Sequence, residues 1–220
     1  MKSLLFDTDK YLEVGGRVVQ YLNRQDFPLS KGTANSPRAV GDAIQDNLSA
    51  NFQELVGTEF CAKYSAQFAR RAMADLAFED TSGCYYVVDV KTQRLDTKFN
   101  MPNLTSVERL VRFYEDDRNY FVMLMIKYDM EGLRMVVRDS VFVPIEFISW
   151  ECLTVGALGW GQIQIANANA ITINPRYSRK KWMVEFCDIM LEFYPREIGK
   201  IGNRMKRFEE ARALWVARSE

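Results

Sequence analysis

Asp75-Leu76-Ala77-Phe78-Glu79-Asp80-Thr81-Ser82-Gly83-Cys84-Tyr85-Tyr86-Val87-Val88-Asp89-Val90-Lys91 is the stretch on which the fold turns. Two β-prone runs, Ala74 to Phe78 and Cys84 to Lys91, flank the turn residues Asp80-Thr81-Ser82-Gly83, a pattern that predicts a hairpin. Side chains alternate along a strand, so Asp89 and Lys91 share one face and Val90 takes the other. Pairing through the hairpin brings Asp75, separated from Asp89 by thirteen intervening residues, to meet them. A bare Asp…Asp-x-Lys pattern often marks an exposed, salt-bridging edge. Here it ends an apolar run, Tyr85-Tyr86-Val87-Val88, where a carboxylate and a lysine are better explained by a site. Two carboxylates suit Mg2+, which takes oxygen ligands, and the Lys91 ammonium is then placed beside a water that attacks phosphorus.

Outward from this hairpin, the flanks read as helix. Leu4, Leu5, Leu12, Val18, Val19 and Leu22 recur at helical spacing, and a loop is expected over Phe27–Asn35. Ser36-Pro37, a cap followed by proline, opens the next helix, with Val40, Ile44 and Leu48 as its buried stripe and Asp42 and Asp46 together on a neighbouring face. Downstream, a loop over Thr92–Asn103 leads to a helix capped by Thr105 or Ser106. Strands are expected at Tyr120–Tyr128 and Leu133–Val143, and a further pair at Gly161–Ile165 and Ala170–Ile173. From Ser178 the chain returns to helix, with Trp182, Phe186, Ile189, Met190 and Phe193 as an apolar core face, and Pro195 is expected to open a final basic helix. The order predicts one α/β (mixed α+β) domain over 1–220, a central mixed β-sheet flanked by helices. Its parts are N-terminal helices over 1–70, a catalytic sheet over 71–175 and C-terminal helices over 176–218.

Composition narrows the chemistry. The chain has 220 residues, 48% of them hydrophobic, and no histidine. Histidine-dependent triads, histidine-base nucleases and nearly all familiar catalytic zinc sites are thereby excluded, leaving acid–base and metal chemistry to carboxylates, Lys, Tyr or Cys. Cys61, Cys84, Cys152 and Cys187 form no CxxC pair, so neither a disulfide framework nor a zinc site is expected. Asp7, Asp9 and Glu13 interrupt the N-terminal stretch and no long apolar window follows, which predicts a cytoplasmic protein with no membrane partner. Basic and acidic residues balance at 29 each. Their distribution is uneven: the segment from Arg176 to Arg218 is predominantly basic, whereas Asp42 to Glu59 carries acids and no base.

At these residues the sequence resembles the type II restriction endonucleases of the PD-(D/E)xK superfamily, in the HincII-like, EcoRV-related branch. The resemblance rests on Ala74-Asp75, Val88-Asp89-Val90-Lys91-Thr92, Pro102-Asn103-Leu104-Thr105-Ser106, Gly161-Gln162-Ile163-Gln164-Ile165 and Ser178-Arg179-Lys180-Lys181-Trp182, spanning roughly residues 35 to 210. It implies a restriction-endonuclease-like fold and a homodimer that encloses double-stranded DNA. The activity implied is Mg2+-dependent cleavage of both strands of a short palindrome, leaving blunt ends. Asp75, Asp89 and Lys91 are then catalytic, with Asp75 and Asp89 as the metal ligands and Lys91 as the water-positioning group. The pattern departs from the family at Ala74, where proline is usual, and in the helical acid upstream, for which both Asp42 and Asp46 are candidates; either is equally a solvated helix charge.

Two segments are expected to touch DNA. Gly156 to Gln164, with Trp160, Gln162 and Gln164, looks like the base-reading region, since glutamine bonds adenine bidentately; period-two alternation on a strand gives the same pattern. The loop after Lys91 carries Gln93, Arg94, Lys98, Asn100 and Asn103. In the family it enters the minor groove near the centre of the site; alternatively Asn103 caps the following helix. A structure-specific repair or junction-resolving nuclease shares this metal chemistry, and a non-catalytic DNA-binding domain shares the fold.

Overall fold

The computed structural model describes residues 3–25, 30–65 and 74–218, which fall into two compact units, Met1–Arg176 and Tyr177–Glu220. The first is built on a five-stranded mixed sheet in the order β1-β2-β3-β5-β6, from β1 (Cys61–Tyr64), β2 (Leu76–Asp80), β3 (Tyr85–Arg94), β5 (Asn119–Glu131) and β6 (Arg134–Pro144). Only β3 and β5 run parallel; the other neighbours are antiparallel. A second, antiparallel sheet in the order β4-β8-β7 consists of β4 (Asn103–Ser106), β8 (Gln162–Ile165) and β7 (Leu153–Gly156). The helices of this unit are α1 (Lys10–Arg24), the one-turn α2 (Lys31–Ala34), α3 (Pro37–Val56) and α4 (Val107–Phe113). A mixed sheet with helices against it is the architecture expected from the order of patterns.

Local chemistry accounts for the elements that position the site. The expected hairpin forms, with Leu76 opposite Val88 and Glu79 opposite Tyr85. Asp80 makes its turn: one carboxylate oxygen accepts from Ser82 N–H, Ser82 Oγ and Cys84 N–H, and the other accepts from Tyr86 OH at 2.7 Å. Gly83 takes the left-handed conformation that the turn requires, at φ 83°. Behind the turn, Tyr86 stacks between Phe78 and Tyr120 at centroid distances of 4.5 and 5.2 Å. This aromatic layer gives the hairpin a large buried anchor.

Cross-strand register puts Thr92, Ile126 and Ser140 side by side on one face of the large sheet. Both long helices of the unit approach that face through glycine. A Cβ on Gly15 of α1 would lie 3.2 Å from Ser140 Oγ, and one on Gly41 of α3 would lie 3.0 Å from Thr92 Oγ1. Ser140 Oγ donates to Gly15 O, and the Asn23 amide exchanges two hydrogen bonds with the Val137 backbone, so α1 is fastened to β6 by polar contacts as well as by its buried stripe of Tyr11, Val14, Val18 and Leu22. Leu4 and Leu12, expected on that stripe, are exposed, and the helix begins only at Lys10. α3 starts where expected, with Ser36 Oγ accepting from Ala39 N–H.

Several expectations are corrected. Within the expected loop Phe27–Asn35, Phe27 to Leu29 lie outside the described residues, and the rest contains α2, capped by Ser30 Oγ accepting from Thr33 N–H. The expected boundary at residue 70 also lies outside them. Ala170–Ile173 is not a strand: Asn167 Oδ1 accepts from Asn169 N–H and turns the chain away, leaving Ile173 a single bridge to Ile148. β8 pairs instead with β7 and β4, four-residue strands too short to show a period. Ser106, not Thr105, caps α4 by accepting from Arg109 N–H.

The second unit is one helix, α5 (Arg179–Val216), with Ser178 Oγ capping it through Lys181 N–H. Pro195 lies inside this helix and does not open another; its ring forfeits one backbone bond, a loss the continuous helix tolerates. Trp182, Phe186 and Met190 are buried as expected, while Ile189 and Phe193 are half-buried. No helix among the described residues is long and apolar enough to cross a membrane.

Candidate active site

The site is created where one strand outruns its neighbour. β2 pairs with β3 only as far as Val88, whereas β3 continues to Arg94 along β5. Among the described residues the last backbone contact is Asp75 N–H to Val88 O at 3.0 Å. Val90 N–H on the newly exposed edge is then taken by the Asp75 carboxylate, at 2.7 Å to Oδ2. Asp75 therefore stands in the edge of the sheet, beside the point at which Asp89 and Lys91 leave β3.

Its other oxygen is held from the helix. Gln45 Nε2 of α3 donates to Asp75 Oδ1 at 2.6 Å. Asp42 and Asp46, the acids proposed for this helix, are exposed, and the residue of α3 that reaches the cluster is Gln45. The signal available in sequence was Gly41. A glycine inside a helix weakens it by about 1 kcal/mol unless close approach requires it. The contact with Thr92 is such an approach, and Gln45 lies one turn further along the same side.

Asp89 and Lys91 meet as strand alternation requires: Lys91 Nζ donates to Asp89 Oδ1 at 2.7 Å, with the Asp89 side chain 7% and the Lys91 side chain 23% exposed. Asp89 Oδ2 is buried with no hydrogen-bond partner among the described residues. Burial pushes the Asp89 carboxyl up to about 7; the ammonium of Lys91 pulls the other way and the nearby charge of Asp75 adds to the rise. Desolvation thus outweighs the ion pair, as expected where a single ammonium must offset the burial of a carboxylate.

A pair of carboxylates, one ionised only at a cost and with a bare oxygen, is a place where a cation would be stabilising. No group of three or more His, Cys, Asp or Glu suited to a metal occurs among the described residues. Two carboxylates fit Mg2+, which retains waters and accepts substrate phosphate oxygens in its remaining positions, better than they fit a closed structural site.

The residues expected to face DNA separate into two groups. Gln93 is buried, 1% exposed, with its amide fully engaged: Nε2 donates to Arg94 O and Asn169 Oδ1, and Oε1 accepts from Asn100 Nδ2 at 2.8 Å. Asn169 in turn donates to Thr97 O and Lys98 O, and Ala168 N–H bonds Asn100 O. Gln93 and Asn100 therefore pin the loop after β3 to the segment after β8. Gln93 is corrected from a DNA contact to a structural residue, because its donors and acceptor are all spent internally. Arg94 pairs with Asp96 at 2.8 Å.

Asn103, Trp160, Gln162 and Gln164 instead assemble on the small sheet. Asn103 caps nothing; it opens β4, and its Oδ1 accepts from Gln164 Nε2 across the strands at 2.5 Å. Gly156 makes room for that amide, since a Cβ there would lie 2.7 Å from Gln164 Oε1. Leu104, Thr105, Ser106, Glu108, Arg109, Leu158, Gly159, Trp160 and Gln162 line an open cavity of about 410 Å3. Gly159 and Gly161 bracket Trp160 in left-handed conformations, at φ 59° and 118°, and the indole is 61% exposed. An aromatic ring held on a glycine-framed bend beside the half-buried amides of Gln162 and Gln164 and the exposed Asn103 offers both stacking and hydrogen bonding to a ligand with flat, polar edges.

A scan against models of protein families finds no match to this chain, and a search of curated proteins finds none either.

Proposed function

We propose that the chain is a Mg2+-dependent, sequence-specific endonuclease of the type II restriction class, hydrolysing both strands of duplex DNA at a short palindrome as a homodimer. The observation that carries this reading is the convergence of Asp75, Asp89 and Lys91 at the point where β2 leaves β3, with one Asp89 oxygen buried and unpartnered.

Asp75 and Asp89 would hold the metal, which supplies charge neutralisation of the phosphate and a more acidic water. Asp75 is fixed for this task before substrate arrives, because Gln45 and the Val90 N–H occupy one lone pair on each oxygen and set its rotamer. With a cation bound, Asp89 would be held in its ionised form and Lys91 would no longer be the sole group balancing it. The ammonium is then positioned, within a few ångströms of that carboxylate, to donate to the attacking water or a phosphate oxygen. Asn103, Trp160, Gln162 and Gln164 are assigned to base recognition, and Asn100 to shaping the loop that carries Asn103.

Incubating the purified chain with genome-length DNA and Mg2+, then sequencing the fragment ends, tests this. Discrete fragments sharing one symmetric sequence at their ends are expected. Nicking only at junctions or flaps would move the assignment to a structure-specific nuclease, and no cleavage with Mg2+ or Mn2+ would remove the nuclease assignment.

A further inference from the structure

The last half of α5 carries a solvent-exposed apolar seam, covered only at its end, where the Arg218 guanidinium lies 4.0 Å from the centre of the Trp215 ring. Every residue from Ile198 to Val216 is exposed, and Ile198, Ile201, Met205, Phe208 and Trp215 are each 50–76% so. Half-buried Tyr194 and Leu191, which is 73% exposed, continue the line upstream. Together with Arg212 these residues alternate steps of three and four, giving the a and d positions of four successive heptads. The buried stripe of the same helix, Trp182, Phe186 and Met190, advances in steps of four and is a separate line.

A seam repeating every 3.5 residues drifts by about 20° per heptad around a straight helix, so it stays aligned only against a partner helix that winds with it. A flat surface such as a membrane instead selects a 3.6-residue stripe, and a broader one. Gly199 and Gly202 each weaken the helix by roughly 1 kcal/mol, so burial of the seam is the available compensation.

We propose that this seam docks on the same seam of a second copy of the chain, forming a parallel two-stranded coiled coil over Leu191–Trp215. Charge selects the orientation. In a parallel pair each g position faces the e position of the partner's next heptad, which sets exposed Arg204 against Glu209 of the other copy, twice by symmetry. In a fully overlapped antiparallel pair, Arg204 would meet its own copy. Phe208 and Trp215 bring about 150–250 Å2 each in side-chain surface, so with the aliphatic positions the seam approaches the roughly 800 Å2 per partner of a stable interface. Arg212, the one charged seam position, costs stability and fixes register. The pairing rests on the homodimer of the nuclease reading and assigns its interface; since none of these residues belongs to the catalytic cluster, a dimer that still cleaves but is indifferent to Ile201 and Phe208 would remove the seam alone.

Sedimentation equilibrium of the full chain at micromolar concentration is the test. A mass of twice 25.5 kDa is expected. Ile201→Glu with Phe208→Glu should give a monomer with an unchanged thermal transition of the sheet unit. Arg204→Glu and Glu209→Arg should each weaken the dimer by roughly tenfold, and the two combined should restore it; because both residues are exposed, this swap reports on pairing even if the double glutamate variant loses helix. A monomeric wild type, a higher oligomer, or a dimer indifferent to Ile201 and Phe208 would overturn the proposal. So would failure of the combined swap to recover affinity, or a monomer that instead binds phosphatidylserine vesicles through this seam.

Discussion

Under the proposed nuclease reading Asp89 meets opposing demands: it is buried beside Asp75, yet would have to be ionised to hold a cation. Its carboxyl, at about 7 in the folded chain, is ionised at an ordinary carboxylate value once unfolded. Below pH of about 4 both states are protonated and this burial costs nothing. Between there and pH 7 the unfolded chain sheds its proton first, so stability falls as pH rises, by up to about 4 kcal/mol in total. Asp89→Asn should therefore melt several degrees above wild type at pH 8 without metal, with the gap closing towards pH 5; scanning calorimetry across that range checks it, and a pH-independent gap would contradict the burial account. The same variant, like Asp75→Asn and Lys91→Ala, should lose several orders of magnitude in single-turnover DNA cleavage. Gln45→Ala, which releases one oxygen of Asp75 while leaving the acids in place, should cost about 10–100-fold in metal affinity or cleavage.

At the level of elements, the site depends on two closures. The first is the approach of α3 to β3. A methyl at Gly41 gains helix propensity but meets Thr92 at 3.0 Å, so Gly41→Ala should move the helix outward and carry Gln45 off Asp75. Cleavage should fall while the fold survives, and Thr92→Ala in the same chain should restore it; steady-state rates of the single and double variants decide. The second closure is the Gln93 pin. Gln93→Ala leaves Asn100 and Asn169 without their partner, which predicts a loss of about 1–3 kcal/mol in denaturant unfolding. Because Ser106 caps α4, Asn103→Ala should leave that helix intact and show its effect in cleavage of duplexes varied at the central step.

On the scale of the whole molecule, the proposed metal binding would be linked to global stability. A cation that binds only the folded chain at a hundred times its dissociation constant adds about 2.7 kcal/mol, and for a chain of this size each kcal/mol raises the transition by about 2–4 °C. Mg2+ should thus raise the melting temperature, more at pH 8 than at pH 6, since at the lower pH it must displace the Asp89 proton. Ca2+, with its looser coordination, should stabilise comparably while supporting little cleavage. Equal shifts in Asp89→Asn would place the cation elsewhere.

The hairpin, the long strands, the caps at Ser36 and Ser178 and the shared face of Asp89 and Lys91 were legible in the sequence, because each follows from a period or a capping preference acting over a few neighbouring residues. The sequence also put Asp75 near them through the hairpin turn. It did not show that β2 stops short at Val88, which is what makes Asp75 a bridge to Val90 N–H. Nor did it show that Gln45 rather than Asp42 or Asp46 faces the cluster, since which side of a helix meets a sheet depends on packing thirty residues away in the chain. Gln93 reads as a polar loop residue until Asn100 and Asn169 are brought around it. β1, β4 and β7 carry too few residues for a period and exist because a neighbouring strand supplies their hydrogen bonds. Local pattern therefore determined the identity of the elements and the chemistry of the strand-borne pair. Tertiary structure alone decided the partners, because hydrogen bonds between distant segments depend on register and approach, which no local period encodes.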